Sequence, residues 1–199
     1  MSDPRPSIAR RLVQARMGIE ALEAAEEPLA EVINAIASSL AAGGTLFTCG
    51  NGGSAAQALH LAEELIGRFR HDRPPLRAIC LNADPTALTC IANDFGYEQV
   101  FARQLKALGR AGDCLMVLST SGRSPNILAA LEVARELGVH GLGLLGGEGG
   151  PALPLCHRAV ALHGCDSAAV QEAHLMAIHM ICEVFEHSAA LASAARIPG

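Results

Sequence analysis

His60 and Glu64 stand four residues apart in a helix-forming stretch, so one helix face presents an imidazole beside a carboxylate. Such a pair can grip a divalent metal or pass a proton. Glu63 is next to them in sequence but points to another face. Surface His–Glu pairs are common, so this pair gains meaning only from what joins it. Candidates to join it lie on a late segment carrying Gln171, Glu172, His174, His179, Glu183 and His187. Gln171 and His179 are eight apart, about two turns, and share a broad helix face. Gln171 and His174 are neighbours one turn apart. Spacing alone does not choose between His174 and His179, and an amphipathic helix would show most of these polar groups to solvent.

Two loops offer a different chemistry. Gly50-Asn51-Gly52-Gly53-Ser54 follows a short apolar run. Its glycines allow positive φ and let the backbone approach a ligand. Ser54 is placed to cap the helix that follows. The loop matches neither the phosphate-binding nor the dinucleotide fingerprint. Ser119-Thr120-Ser121-Gly122-Arg123-Ser124-Pro125 supplies four hydroxyls within six residues, again after an apolar run. Pro125 suits the first helical position with Ser124 as the cap. Capping needs only one hydroxyl. Four of them at a helix N-terminus make an anion site, and a phosphate is the expected guest. Asn93-Asp94-Phe95-Gly96-Tyr97 reads as a turn, and Asp94 there could bind ligand hydroxyls.

The elements that must hold these groups follow a repeating rhythm. The first forty residues read as helix, with Leu29, Val32, Ile33, Ile36 and Leu40 at helical spacing, and Gly43-Gly44 ends them. Strands are expected at 45–49, 76–81, 113–118, 140–145 and 159–162. Helices are expected at 54–66, 125–137 and 168–195, with a broken helix over 85–107. Strands alternating with helices imply βαβ units. The fold expected is a three-layer α/β sandwich around a five-stranded parallel sheet of flavodoxin-like order, plus an N-terminal helical hairpin. In that order the loops after the first and third strands meet at the carboxyl edge, where such sheets bind ligands.

Composition narrows the partners. The chain has 199 residues, is 50% hydrophobic and carries a formal net charge of −5, so nucleic-acid binding by bulk charge is excluded. Aromatics make up 3%, too few for base-stacking surfaces. No apolar run reaches the roughly 18 residues of a membrane span, and Met1–Arg5 lacks a signal-peptide core. Seven cysteines without a C-x-x-C fit a reduced, cytoplasmic chain that uses them as small apolar residues. No linker divides the sequence, so one domain over 1–199 is expected, with residues 1–42 outside the repeat.

Several segments together resemble the phosphoheptose isomerases of the sugar isomerase (SIS) family. They are Cys49–Ser54, His60–Leu65, Gly67-Arg68-Phe69, Arg73-Pro74-Pro75, Ala92–Glu98, Ala107-Leu108-Gly109, Gly112-Asp113, Ser119–Ser124, Val170–His174 and Ile178-His179. The likeness spans nearly the whole chain in order. It implies a homotetramer with sites at subunit interfaces, the residues before 43 serving in assembly. It implies a zinc ion on His60, Glu64, Gln171 and His179. Asn51, Gly52, Gly53, Ser54, Arg68, Asn93 and Asp94 would contact the sugar together with Glu64 and Gln171, while Ser119, Thr120, Ser121 and Ser124 hold its phosphate. Glu64 would act as base and His179 as acid in converting sedoheptulose 7-phosphate to D-glycero-D-manno-heptose 7-phosphate, an early step toward lipopolysaccharide heptose. Two positions depart from the pattern: Gln57 stands three before His60, and Ala169, not a cation, stands two before Gln171. Arg68 and Arg123 are the cations left to compensate. The same family suggests two other readings, a non-catalytic adaptor for a replication initiator and an isomerase of another phosphosugar such as arabinose 5-phosphate. Adaptors lose metal-site residues, and all four are present here.

Overall fold

A computed structural model describes residues 3–188 and Leu191. Two helices, α1 (Arg5–Glu23) and α2 (Glu26–Ala41), precede the alternating part of the chain. The stripe expected on α2 is buried: Leu29, Val32, Ile33, Ile36 and Leu40 all face inward. By contrast α1 buries only Gly18 and Leu22. Then come β1 (Leu46–Gly50), α3 (Gly53–Ile66), β2 (Ala78–Cys80), α4 (Pro85–Phe95), α5 (Ala102–Leu108), β3 (Cys114–Ser119), α6 (Pro125–Leu137), β4 (His140–Gly146), β5 (Arg158–Leu162) and α7 (Ser167–Glu186).

The five strands are parallel in the order β2-β1-β3-β4-β5, so β1 and β3 lie side by side at the point where the order reverses. Side chains of successive strand residues point to opposite faces, and the core divides accordingly. Leu46, Cys114, Met116, Leu118, Leu142 and Leu144 join residues of α2, α3 and α7 on one face. Phe47, Cys49, Leu115, Val117 and Leu145 join α4, α5 and α6 on the other. Burial of both faces explains why the central strands read as continuous apolar runs.

Several expectations are corrected in detail. The second strand is only Ala78–Cys80, because it is an edge strand paired to β1 at three positions after a Pro74-Pro75 lead-in. Asn93 and Asp94 belong to α4; the turn begins at Gly96, whose φ is +87°. A 3-10 turn, Tyr97–Gln99, then leads to α5. A second 3-10 helix, Gly150–Leu155, occupies a stretch that carries no sequence signal beyond its loop residues. Asp166 caps α7 by accepting from Ala169 N at 2.8 Å. The helix expected over 168–195 ends instead at Glu186, with His187 as its C-cap; the expected end at 195 lies outside the described residues. Ser54 does not cap α3: Gly52, at φ +56°, takes that position, the helix starts at Gly53, and Ser54 is buried inside the first turn. Cys49, Cys80, Cys114 and Cys182 are buried thiols, Cys156 and Cys165 are half-buried, and Cys90 is exposed. Among the described residues no helix is long and apolar enough to cross a membrane.

Candidate active site

The loops after β1 and β3 meet at the carboxyl edge, and an amide pair ties them. Asn51 Nδ2 donates to Asn126 Oδ1 at 2.9 Å, and Asn126 Nδ2 returns a bond to Asn51 Oδ1 at 2.9 Å. Tyr97 Oη donates to the same Asn51 oxygen at 3.1 Å, which draws the end of α4 to the first loop. Asn82 fixes Gly50 from the β2 side: it accepts from Gly50 N at 3.2 Å and donates to Gly50 O at 3.0 Å. Asn82, Asn126 and Tyr97 escaped the sequence reading. Asn82 and Asn126 each follow a strand at the edge already marked for ligand, and that position is the signal that could have found them.

The hydroxyl loop divides its labour. Ser119 is buried, and its Oγ accepts from Gly122 N at 3.0 Å. Ser121 is exposed and accepts from Arg123 N at 3.3 Å. Ser124 sits at the cap position of α6, yet its side chain makes no capping bond. Thr120 is half-buried. Gly122 has φ +61°, and the Gly149 carbonyl fills the place a Cβ would take. Ala152 N donates to Gly122 O at 3.0 Å, so the 3-10 helix braces this loop from behind. Thr120 and Ser124 make no side-chain hydrogen bond among the described residues and Ser121 is exposed, so these hydroxyls can meet a ligand at the positive end of α6.

The titratable pair lies farther down α3. His60 Nε2 and Glu64 Oε1 are 3.1 Å apart, with side-chain exposures of 31% and 14%. Glu63, although exposed, brings its carboxylate within 4.8 Å of both. From α7 the His179 ring approaches His60, ring centres 5.4 Å apart and planes at 76°. Phe69, on the segment after α3, also packs against His179, ring centres 5.5 Å apart and planes at 31°. Arg73 closes the end of α3, its guanidinium donating to Glu64 O at 2.7 Å and Leu65 O at 2.9 Å.

Gln171 is elsewhere. Its amide nitrogen and oxygen lie 2.8 and 2.9 Å from where a Cβ on Gly53 would stand, at the first turn of α3. His60 is seven residues along that helix, about 10 Å away. Gln57 donates to Gln171 O at 2.6 Å, so this departure from the family pattern serves to join α3 to α7. The other departure, Ala169, is fully buried where α1 crosses α7: its carbonyl lies 2.9 Å from the Cβ position of Gly18. That close crossing requires small residues on both helices.

Asn93 and Asp94 are exposed on α4 and bond to each other at 2.8 Å. Arg68 and Arg123 are exposed, and neither forms an ion pair among the described residues. His174 belongs to the core. It is 0% exposed, both ring nitrogens lack a partner at hydrogen-bonding distance, and burial pulls its pKa down to about 4 against a weak opposing pull from the Leu145 backbone. Glu172 faces Arg11 at 3.4 Å on the surface.

His60, Glu63 and Glu64 are zinc-type donors already at ligand-to-ligand spacing, and His179, whose ring packs on His60, is a further donor of the right kind outside that group. Gln171 is not among them: its amide lies at the first turn of α3, beside Gly53. As to chemistry, a carboxylate and imidazoles on α3 and α7, with hydroxyls at the N-terminus of α6, suit proton transfer on a phosphorylated substrate.

The SIS domain family matches residues 13–146. A phosphoheptose isomerase of Desulfovibrio desulfuricans is 50% identical over 169 residues, covering 82% of this chain and 80% of that protein. One from Helicobacter pylori is 44% identical over 84% of this chain and 87% of its own length. The solved structure of a phosphoheptose isomerase from Neisseria gonorrhoeae superposes with a TM-score of 0.87 at 34% identity, covering 94% of this chain and all (100%) of that one. The chain therefore belongs to the SIS domain family, among its phosphoheptose isomerases.

Proposed function

We propose that the protein interconverts sedoheptulose 7-phosphate and D-glycero-D-manno-heptose 7-phosphate by proton transfer through an enediol. The observation that carries this reading is the meeting of His179 with the His60–Glu64 pair, in a chain 50% identical to a curated phosphoheptose isomerase. Retention of this cluster favours an enzyme over an adaptor.

Ser121 and Ser124, with Ser119 and Thr120 shaping the loop, hold the phosphate at the α6 N-terminus. Asn51, Gly52, Gly53 and Ser54 bound the sugar from the β1 side, Gln171 lies over Gly53, and Asn93, Asp94 and Arg68 supply polar groups at the rim. Glu64 takes the proton from C1 and returns it to C2. His179 gives a proton to the C2 oxygen and accepts one from the C1 oxygen, so the protons balance and the ketose becomes the aldose. Zinc held by His60, Glu64 and His179 would polarise the carbonyl and steady the negative charge that develops on oxygen.

A homotetramer with sites shared between subunits is supported by α1, which leaves Ile8, Leu12 and Val13 more than half exposed, at 55%, 56% and 53%. On this reading residues 1–199 are one domain, residues 1–42 serve in assembly, and the enzyme works in the cytoplasm on the route to lipopolysaccharide heptose. Incubating the purified protein with sedoheptulose 7-phosphate and zinc, and watching for aldose anomeric protons by NMR, tests the reading; Glu64→Gln should abolish the signal.

A further inference from the structure

Glu186 is the last residue of α7, where unpaired carbonyls make the helix end negative. A carboxylate is the wrong charge for that position. Its side chain is nevertheless only 2% exposed. Three donors offset the cost: Arg70 N, His71 N at 2.7 Å and the His71 ring nitrogen at 3.3 Å. Burial pushes the carboxyl pKa up, and these bonds with the nearby His71 ring outweigh it, holding the pKa at about 2. An arrangement that is locally unfavourable and fully hydrogen-bonded marks a segment whose position matters.

The segment it grips is 67–71, between α3 and β2. From it Phe69 reaches back onto His179, ring centres 5.5 Å apart. Arg70 reinforces this: its guanidinium lies 4.9 Å over the Phe69 ring and 3.4 Å from Glu183. His179 therefore packs against both His60 and Phe69. Its ring has no hydrogen-bond partner among the described residues to set its angle, so packing sets it.

We propose that Glu186 is a positioning residue for the isomerisation: by latching segment 67–71 it presses Phe69 against His179 and fixes the imidazole in its working orientation. The proposal rests on the reading of His179 as the acid. Two readouts test it. The first needs no turnover: the His179 ring protons carry a ring-current shift from Phe69. In Glu186→Ala that shift should collapse toward the value in Phe69→Ala. The second is kinetic. Both variants should lose about tenfold in kcat with KM changed less than about twofold. The double variant should be no worse than either single one, because both act through one contact. Glu186→Gln, which keeps one acceptor, should recover part of the loss, and it carries the same readouts if Glu186→Ala does not fold. A wild-type His179 shift in Glu186→Ala, or kinetic losses that simply multiply in the double variant, would overturn the proposal. A wild-type protein inactive on heptose phosphate would defeat the functional reading instead, while the shift would still decide whether Glu186 positions His179.

Discussion

His179 and His60 meet edge-on, ring centres 5.4 Å apart, although one comes from α7 and the other from α3. The contact turns a helix-spaced His–Glu pair into a three-residue group with both a carboxylate and a second imidazole. Its proton-transfer role can be tested at either end. Glu64→Gln and His179→Gln should each lower kcat by about a hundredfold or more, the usual worth of a general acid or base. Circular dichroism should show the fold intact, since Glu64 and His179 both lie outside the buried core.

The hydroxyl loop predicts two different failures. Ser124→Ala should raise KM about tenfold with little change in thermal stability, because its hydroxyl makes no internal bond. Ser119→Ala should instead destabilise the protein by about 1–2 kcal/mol, since it strips the buried Gly122 N–H of its acceptor. Denaturant melts and Michaelis–Menten kinetics on both variants separate the two.

Gly53 tests the placement of Gln171. Alanine is a better helix former than glycine, and Gly53 does not need positive φ. An added Cβ would nonetheless meet the Gln171 amide at 2.8 Å. Gly53→Ala should therefore keep or slightly raise the melting temperature while KM rises, a split visible by calorimetry beside a kinetic assay.

His174 gives stability a pH dependence of definite sign. Its folded pKa, about 4, lies below the 6.5 of an ordinary histidine. Above pH 6.5 both folded and unfolded forms are neutral there and nothing changes. Between 6.5 and 4 the unfolded chain binds the proton while the folded one resists it, so stability falls as pH falls, by on the order of 3 kcal/mol in total. Glu186 acts lower: its stabilisation is present above the normal carboxylate range and is lost as pH drops toward about 2. Urea melts across pH 4–7 should show the first slope, and His174→Leu should flatten it.

The fold was legible because this sheet buries both faces. Every central strand announces itself as an apolar run, and each loop after it as a cluster of glycines or hydroxyls. The switch point then followed from the assumed order, which the pairing of β1 with both β2 and β3 bears out. Edge features were less legible. β2 is short because pairing on one side and two prolines limit it, and the 3-10 helix at Gly150–Leu155 has no periodicity to reveal it. Within the site, spacing could place His60 beside Glu64 but could not separate His174 from His179. That choice depends on which face of α7 meets the sheet and which meets α3, a tertiary fact. The Asn51–Asn126 pair and the Glu186 latch join residues far apart in sequence, so no local pattern could show them.

The most direct test of the account is an NMR time course of the purified protein with sedoheptulose 7-phosphate in deuterated water. Aldose anomeric signals should appear together with deuterium incorporation from solvent at the carbon that receives the proton, and both should be lost in Glu64→Gln. A folded, zinc-loaded protein that yields neither product nor exchange would contradict it.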